Sequence, residues 1–395
     1  MSALQIASGS LGQSRRGMRR AEVLYPDPWV LGVALSLLCL GLIMVASASM
    51  GIADRQFGNP THYLLRQSVF AGLGLILGFA LWRLPLQLWE RSGRVLILFS
   101  VVILAALLIP GIGHTVNGSA RWLALGPFNV QPSEAVKLFT LIYLAGYLVR
   151  RREAVRSTLG GFLRPMGLLA VLVVLLLLEP DFGAAAVLLA TALGMMWLGG
   201  VPLWHFGGVL SLVTAVLGLV AWTSPYRVER LTTFMNPWSD PFNSGFQLTQ
   251  ALIAFGRGEW LGAGLGASVQ KLFYLPEAHT DFMYAVLAEE LGLLGALAVI
   301  ALFAMLVARA FWIGRRAERA ERPFAAFLAY GIALWLGLQA FINLGVNMGV
   351  LPTKGLTLPL MSYGGSSMLV TCMSIGLLLR ADLETRRAAG KGGAR

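Results

Sequence analysis

The sequence predicts an all-α polytopic membrane protein. It has ten transmembrane helices, both termini in the cytoplasm and one large extracytoplasmic loop between the seventh and eighth helices. Three observations predict this. The 395 residues are 57% hydrophobic and only 13% charged, about half the charged share of an ordinary soluble domain, and mean hydropathy is +0.71. Apolar runs near spanning length recur ten times. The basic residues concentrate on alternate connections between those runs.

A helix needs about 20 mostly apolar residues to cross a bilayer. The runs are 29–50, 65–82, 95–110, 133–149, 163–178, 182–200, 203–222, 282–308, 324–349 and 359–379. The fifth is short enough to suggest a re-entrant segment, and the charges decide for a crossing. With a cytoplasmic N-terminus, the connections on that side hold 22 of the 31 Lys and Arg residues and the opposite connections hold seven. That asymmetry follows the positive-inside rule, and an odd number of spans would destroy it. The net charge of +12 therefore reflects the runs RRGMRR, RRREAVR and RRAERAER beside anionic lipid, and nucleic acid is not an expected partner. The first span lies too far behind the basic start, and is too long, for a cleaved signal peptide. The expected organisation is a cytoplasmic extension over 1–28, a transmembrane domain over 29–380 and a cytoplasmic tail over 381–395.

The loop over about 223–281 far exceeds an ordinary connection. It carries Trp, Phe and Tyr throughout, which predicts short amphipathic helices at the membrane surface. Cys39 and Cys372 each sit inside an apolar run, so no disulfide framework or zinc spacing exists. GAGLG (262–266) follows no strand, and the four histidines form no HExxH motif. The two halves show no repeat of the kind built into many transporters.

Charges inside or at the edge of a membrane are costly, which makes each a candidate functional residue. They form four clusters, nearly all toward the outer side. In GHTVNGSARWLALGPFNVQPSEAVK (113–137), Arg121 lies in a loop. Glu134 and Lys137 share a helix face three residues apart, either as a structural ion pair or as part of a site. Asn117-Gly118-Ser119 reads as a turn. In LLLLEPDFGAAAV (175–187), Glu179 and Asp181 flank Pro180, and Asp181 suits a helix cap. In YLPEAHTDFMYAVLAEELG (274–292), Thr280 or Asp281 suits the cap of the next helix, with His279 beside them. Glu289 and Glu290 lie two turns deeper and require partners, for which Lys137 or Arg121 are available. In NLGVNMGVLPTKGLTLPLMSYGGSSML (343–369), Lys354 lies in a short loop. Ser362, Tyr363, Gly364, Gly365 and Ser366 form a polar, glycine-rich stretch in the outer part of the last helix. Such a stretch serves either close helix packing or a wet cavity. Together these clusters predict a cavity open to the outer side for an amphipathic, anionic substrate such as a lipid-linked sugar diphosphate.

INLGVNMGVLPTKGLTLPLMSYGGSSML and YLPEAHTDFMYAVLAEELG resemble the SEDS family, the shape, elongation, division and sporulation proteins. NGSARWLALGPFNVQPSEAVK and EPDFG stand in that family's order and spacing, and the resemblance runs over about 29–380. LPTKGL, PEAHTDF and the basic N-terminal extension resemble the division branch rather than the elongation branch.

The resemblance implies a peptidoglycan glycosyltransferase that polymerises lipid II at the septum and releases undecaprenyl diphosphate. The family's essential Asp corresponds to Asp281. The implied reaction is an inverting transfer with Asp281, ionised at neutral pH, as general base. Arg121, Lys137 and Lys354 are expected to stabilise the diphosphate, and His279 and Thr280 to orient Asp281. A divalent cation (Mg or Mn) between carboxylate and diphosphate would serve the same end, although no dedicated metal site is legible. The implied partners are a class B penicillin-binding protein and other divisome membrane proteins. Two alternatives use the same features: a lipid II flippase, which needs a polar path to the cytoplasmic side, and a non-catalytic divisome scaffold, which does not need Asp281.

Overall fold

Asp27 sets where the first helix begins. Its carboxylate accepts the N–H groups of Trp29 and Val30 at 3.0 Å, and Pro28 occupies the first turn, where its missing N–H costs nothing. The computed structural model describes residues 25–111, 113–116, 119–125, 128–209, 211, 234–243, 245–272, 275–352 and 355–392.

The helices are α1 (Pro28–Phe57), α2 (His62–Arg83), α3 (Leu86–Leu107), α4 (Pro132–Arg150), the short α5 (Arg152–Ser157), α6 (Leu159–Leu178), α7 (Phe182–Leu198), α8 (Phe246–Gly258), α9 (Met283–Arg319), α10 (Pro323–Asn347) and α11 (Gly365–Gly392). Six of them, α1, α2, α6, α9, α10 and α11, are long and apolar enough to cross a membrane. α3 carries Glu90, Arg91 and Arg94 near its start, α4 carries Glu134 and Lys137, and α7 is apolar but shorter. The run 203–222 is helical over 203–209, and most of its remainder lies outside the described residues. Large apolar side chains such as Ile76, Val95, Leu98, Val174 and Phe341 stand exposed around the bundle. A helical bundle with an apolar perimeter is built for hydrocarbon, because each helix satisfies its own backbone. The chain is a mostly helical, multi-pass membrane protein.

One end of the bundle is tied by ion pairs. Arg309 on α9 clasps Asp27 at 2.6 Å, Arg386 pairs with Asp382 at 2.6 Å, and Arg380 pairs with Glu384 at 2.8 Å. Glu384 also accepts the Leu86 N–H, so α11 holds the start of α3. α11 runs as a helix through residue 381 to Gly392, so the expected tail continues the last helix.

The structure differs from the sequence reading in three places. The connection 111–132 is not a plain loop: β1 (His114–Val116), β2 (Ser119–Leu125) and β3 (Phe128–Val130) form a three-stranded antiparallel sheet. Val116 pairs with Ser119 across the expected turn. Strands this short give little periodic signal. The expected run 359–379 is broken at its start, since residues 359–364 are turns and the helix begins at Gly365.

Thirdly, α9 is not continuous. Gly292 adopts φ 67° and ψ −168° and interrupts it. The orphaned backbone groups are taken by the segment after α8. Ala263 and Gly264 donate to the carbonyls of Glu289 and Glu290, while Leu293 and Leu294 donate to those of Glu259 and Trp260. A Cβ on Gly292 would lie 2.4 Å from the Gly262 nitrogen, so only glycine fits this crossing.

Candidate active site

Four helix starts converge on one cavity. It is lined by Gln131 and Glu134 at the start of α4, Asp181 ahead of α7, Glu277 to Asp281 ahead of α9, and Tyr363 to Ser367 at the start of α11. Arg66 from α2, Arg121 and Trp122 from β2 and the segment Gly355–Thr357 complete the wall, and the enclosed volume is about 600 Å³. Helix starts present unpaired N–H groups and positive dipole ends. Two guanidinium groups, Arg66 and Arg121, share the wall with four carboxylates, Glu134, Asp181, Glu277 and Asp281, so positive potential is confined to the arginines and the helix starts.

Asp281 reaches this cavity from the turn Leu275–Phe282. Its side chain does not cap α9, contrary to the simpler reading of the sequence. Its main chain is what the fold grips: Asn343 and Asn347 on α10 donate to the Asp281 carbonyl at 3.0 and 2.9 Å. Asn343 also holds the Leu356 carbonyl at 2.6 Å, and Asn347 accepts the Ala285 N–H at 3.1 Å. These two residues, one turn apart on α10, therefore fix the Asp281 turn against the segment facing it. Glu277 and Leu360, at φ 54° and 63°, occupy the left-handed region that non-glycine residues seldom enter. Both lie in the segments that frame Asp281. Burial pushes the Asp281 carboxyl up to about 7, Glu277 adds to the rise, and Arg121 opposes it. Ionisation at neutral pH is thus only partial, because enclosure outweighs the nearby cation.

Asp181 caps α7 as expected, accepting the Ala184 N–H at 3.1 Å. Its other oxygen accepts Gln131 and Ser133, both at 2.9 Å, which joins the starts of α4 and α7. Glu179 is buried behind the wall. Burial and the neighbouring Asp181 push it up to about 8, against the pull of Arg121.

Glu134 and Lys137 do pair, at 2.9 Å. Lys137 also donates to Gln339 at 2.8 Å and lies over the Trp335 ring. It is buried beneath the cavity and does not line it. Glu134 does line it, and its Oε2 has no hydrogen-bond partner among the described residues.

Other expected roles need correction. Thr280 donates to the Glu277 carboxylate at 2.7 Å, and His279 is joined through its carbonyl to the Tyr363 N–H at 2.9 Å. Neither orients the Asp281 carboxylate by a hydrogen bond. Ser362 is buried off the cavity, accepting the Leu358 N–H at 3.0 Å. Tyr363, Gly364, Gly365 and Ser366 are on the wall, and Ser366 accepts the Gln131 N–H at 2.8 Å. Lys354 lies outside the described residues.

Glu289 and Glu290 do not line the cavity, and neither Lys137 nor Arg121 is their partner. Glu289 accepts Ser268 in a short 2.5 Å bond and the Val269 N–H at 3.0 Å, with Arg257 at 3.5 Å. Glu290 accepts Lys271 at 2.7 Å and Ser47 at 2.7 Å. Both carboxylates, just ahead of the break at Gly292, pin the segment after α8. Among the described residues no group of three or more His, Cys, Asp or Glu is placed to hold a metal ion. The carboxylates on the cavity wall, Glu134, Asp181, Glu277 and Asp281, form no such group.

Sequence reasoning passed over Arg66, Asn343 and Asn347. Arg66 was detectable as a charge at the edge of an apolar run, and the two Asn as amides one turn apart in an apolar helix.

A multi-pass helical bundle with carboxylates and two arginines in one polar cavity defines a candidate site embedded in a membrane protein. A family profile described as "Cell cycle protein", covering FtsW, RodA and SpoVE, matches residues 28–387. The chain belongs to that family. It is 64% identical over 361 residues to a probable peptidoglycan glycosyltransferase FtsW of Nitrosococcus halophilus, covering 91% of this chain and 93% of that one. It is 54% identical over 376 residues to the protein so named in Legionella pneumophila, covering 95% of each. A chain from a structure titled as a peptidoglycan synthase complex coordinating polymerization and crosslinking superposes with a TM-score of 0.75. It is 33% identical, with 92% of this chain and 99% of that one covered. The rod shape determining protein RodA of Thermus thermophilus superposes with a TM-score of 0.66. It is 30% identical, with 91% of this chain and 97% of that one covered.

Proposed function

We propose that this chain is a peptidoglycan glycosyltransferase of the FtsW type, joining lipid II units into glycan strands with release of undecaprenyl diphosphate. The observation that carries this reading is Asp281, poised near neutrality in a cavity that also holds Arg66 and Arg121. The names of the relatives supply the substrate class.

An acceptor sugar hydroxyl attacks the anomeric carbon of the donor, and the diphosphate leaves from the opposite face. Asp281 takes the hydroxyl proton as the new bond forms, a task suited to a base whose pKa lies near the working pH. Arg66 and Arg121 face the charge that grows on the departing diphosphate, and the start of α11 adds its N–H groups. Holding two lipid-anchored substrates side by side supplies much of the remaining acceleration. Lys137 supports Glu134 from below instead of meeting the diphosphate.

The same reading puts all ten spans in the inner membrane, both termini in the cytoplasm, the cavity at the outer surface, and the protein at the division septum. The domain limits proposed are 1–28, 29–380 and 381–395. A class B penicillin-binding protein is the proposed partner, with other divisome membrane proteins; likeness to a chain of a synthase complex supports the first of these.

The test is polymerisation of labelled lipid II by the purified chain with its cognate transpeptidase, the latter blocked by a β-lactam. A glycan ladder from the native protein and none from folded Asp281→Asn is expected. A ladder from both would remove Asp281 from the chemistry. A ladder from neither, with the complex intact, would favour the flippase or scaffold alternatives.

A further inference from the structure

Three rings from three separate segments meet at the cavity wall beside Asp281. Tyr63 on α2 lies 4.7 Å from His279 and 5.0 Å from Tyr363, centroid to centroid, and His279 lies 5.5 Å from Tyr363. All three line the cavity. We propose that these rings are the seat of a sugar ring of the substrate, with His279 Nδ1 engaging one of its hydroxyls. The proposal rests on the glycosyltransferase reading and adds to it the residues that recognise the saccharide.

Two independent observations carry it. First, His279 is 8% exposed, and its Nδ1 has no hydrogen-bond partner among the described residues. A buried ring nitrogen left unpaired is costly, and since the His279 ring lines the cavity, a small rotation of it would offer Nδ1 to a ligand there. Burial lowers the His279 pKa against the opposing pull of Glu277, so the imidazole is neutral. A neutral ring nitrogen suits a hydroxyl, whereas the cavity's anion-binding groups are Arg66 and Arg121.

Second, the rings are held in place. The Tyr363 N–H donates to the His279 carbonyl at 2.9 Å. Gln67, one turn after Tyr63, donates to the Ser362 carbonyl at 3.1 Å and accepts the Gly364 N–H at 3.2 Å. Tyr63 itself donates through its hydroxyl to Gln56 at 2.8 Å. Tyr63 and Tyr363 stay half-buried, and they meet at 84°, so they form a corner and not a closed stack. The C–H face of a sugar carries slight positive charge and suits the negative faces of such rings. His279 is two residues from Asp281, so a sugar seated here lies beside the base.

The experiment separates the sugar from the rest of the ligand. Full-length Asp281→Asn protein is titrated with labelled lipid II and, separately, with undecaprenyl diphosphate, which carries no sugar. Binding is measured without turnover, so failure of the polymerase reading leaves this test intact. Lipid II is expected to bind more tightly than the sugar-free lipid. Adding His279→Phe or Tyr63→Leu should weaken lipid II binding about tenfold while leaving undecaprenyl diphosphate and the melting temperature unchanged. Tyr63→Phe, which keeps the ring, should bind like the parent. Equal weakening of both ligands, or no weakening of either, overturns the proposal. If either variant fails to fold, Tyr363→Leu takes its place in the same comparison.

Discussion

Gly355 stands directly against Asp281: a Cβ on Gly355 would lie 3.1 Å from Asp281 Oδ2. The absence of a side chain at 355 therefore leaves room for the Asp281 carboxylate, the proposed base. Gly355→Ala requires the carboxylate to shift by a few tenths of an ångström, and Gly355→Val requires more. A misplaced reacting group costs up to about a hundredfold in rate per ångström. We expect Ala to lower kcat a few-fold and Val by about tenfold or more on that scale, with melting temperatures near native. Initial rates of lipid II polymerisation paired with thermal melts check this. A native rate for Gly355→Val would show that Asp281 is not confined from this side.

The position of the pH profile follows from the same carboxyl. A base must be unprotonated, so kcat/KM should rise with pH to a plateau, with its midpoint near the value of about 7 to which burial lifts Asp281. Glu277 raises that value and Arg121 lowers it. Glu277→Gln should move the rising limb to lower pH, and Arg121→Gln should move it to higher pH. On the proposed mechanism Arg121→Gln should also lower the plateau, through loss of the charge facing the diphosphate. Limbs that stay fixed in both variants would show that Asp281 does not set the profile.

The Asn pair on α10 offers a test of positioning. Asn343→Leu leaves the Leu356 carbonyl without its buried donor and removes one of the two donors on the Asp281 carbonyl, Asn347 remaining. An unsatisfied buried polar group costs about 1–3 kcal/mol. A lower melting temperature is expected, together with a kcat loss that persists well below melting. Asn343→Asp, which removes the donor but keeps the volume, should behave like Leu. Full kcat in the surviving folded protein would restrict Asn343 to stability.

Much of this was legible beforehand. Asp281, Asp181 and the Glu134–Lys137 pair stand out because charge is rare in apolar sequence, and the stretch at 363–366 because Tyr and Ser flank a pair of glycines there. Partner choice was less legible. Glu289 lies eight residues beyond Asp281, and a regular helix running through both would place it under the cavity, but α9 begins only at Met283. The segment after α8 supplies its partners instead, Ser268, Val269 and Arg257, and the break at Gly292 that admits this segment is not announced by one glycine in an apolar run. Asn343 and Asn347 were hidden because their partners are main-chain carbonyls, which carry no sequence signature. The small sheet at 114–130 escaped notice because its strands are of three to seven residues.

Glu179 gives a stability prediction with a definite sign. Its folded pKa is raised from 4.5 to about 8, so the folded state holds a proton that the unfolded state releases earlier. That contribution is complete below 4.5 and is lost as pH rises through about 8. Glu179→Gln mimics the protonated form at every pH. Between about pH 6 and about pH 9 the native protein should lose more melting temperature than the variant. Equal losses would show that Glu179 does not titrate in this window.

The last prediction concerns the pinned segment. Lys271 and Glu290 are paired at 2.7 Å, with Ser47 bonded to both. The Glu290 side chain is fully buried and the Lys271 side chain is 10% exposed. Removing one member strands a buried charge, which costs about 3–5 kcal/mol, whereas replacing both with apolar residues is often neutral. Lys271→Met should therefore melt well below the native protein, and Lys271→Met with Glu290→Met should recover most of the loss. Neither residue lines the Asp281 cavity, so the recovered double variant should also regain polymerase activity. A double variant that melts like native protein yet stays inactive would mean that the ion pair acts on the site as well as on the fold. A double variant no more stable than the single would mean that Ser47 or the surrounding backbone, and not charge balance, holds this corner together.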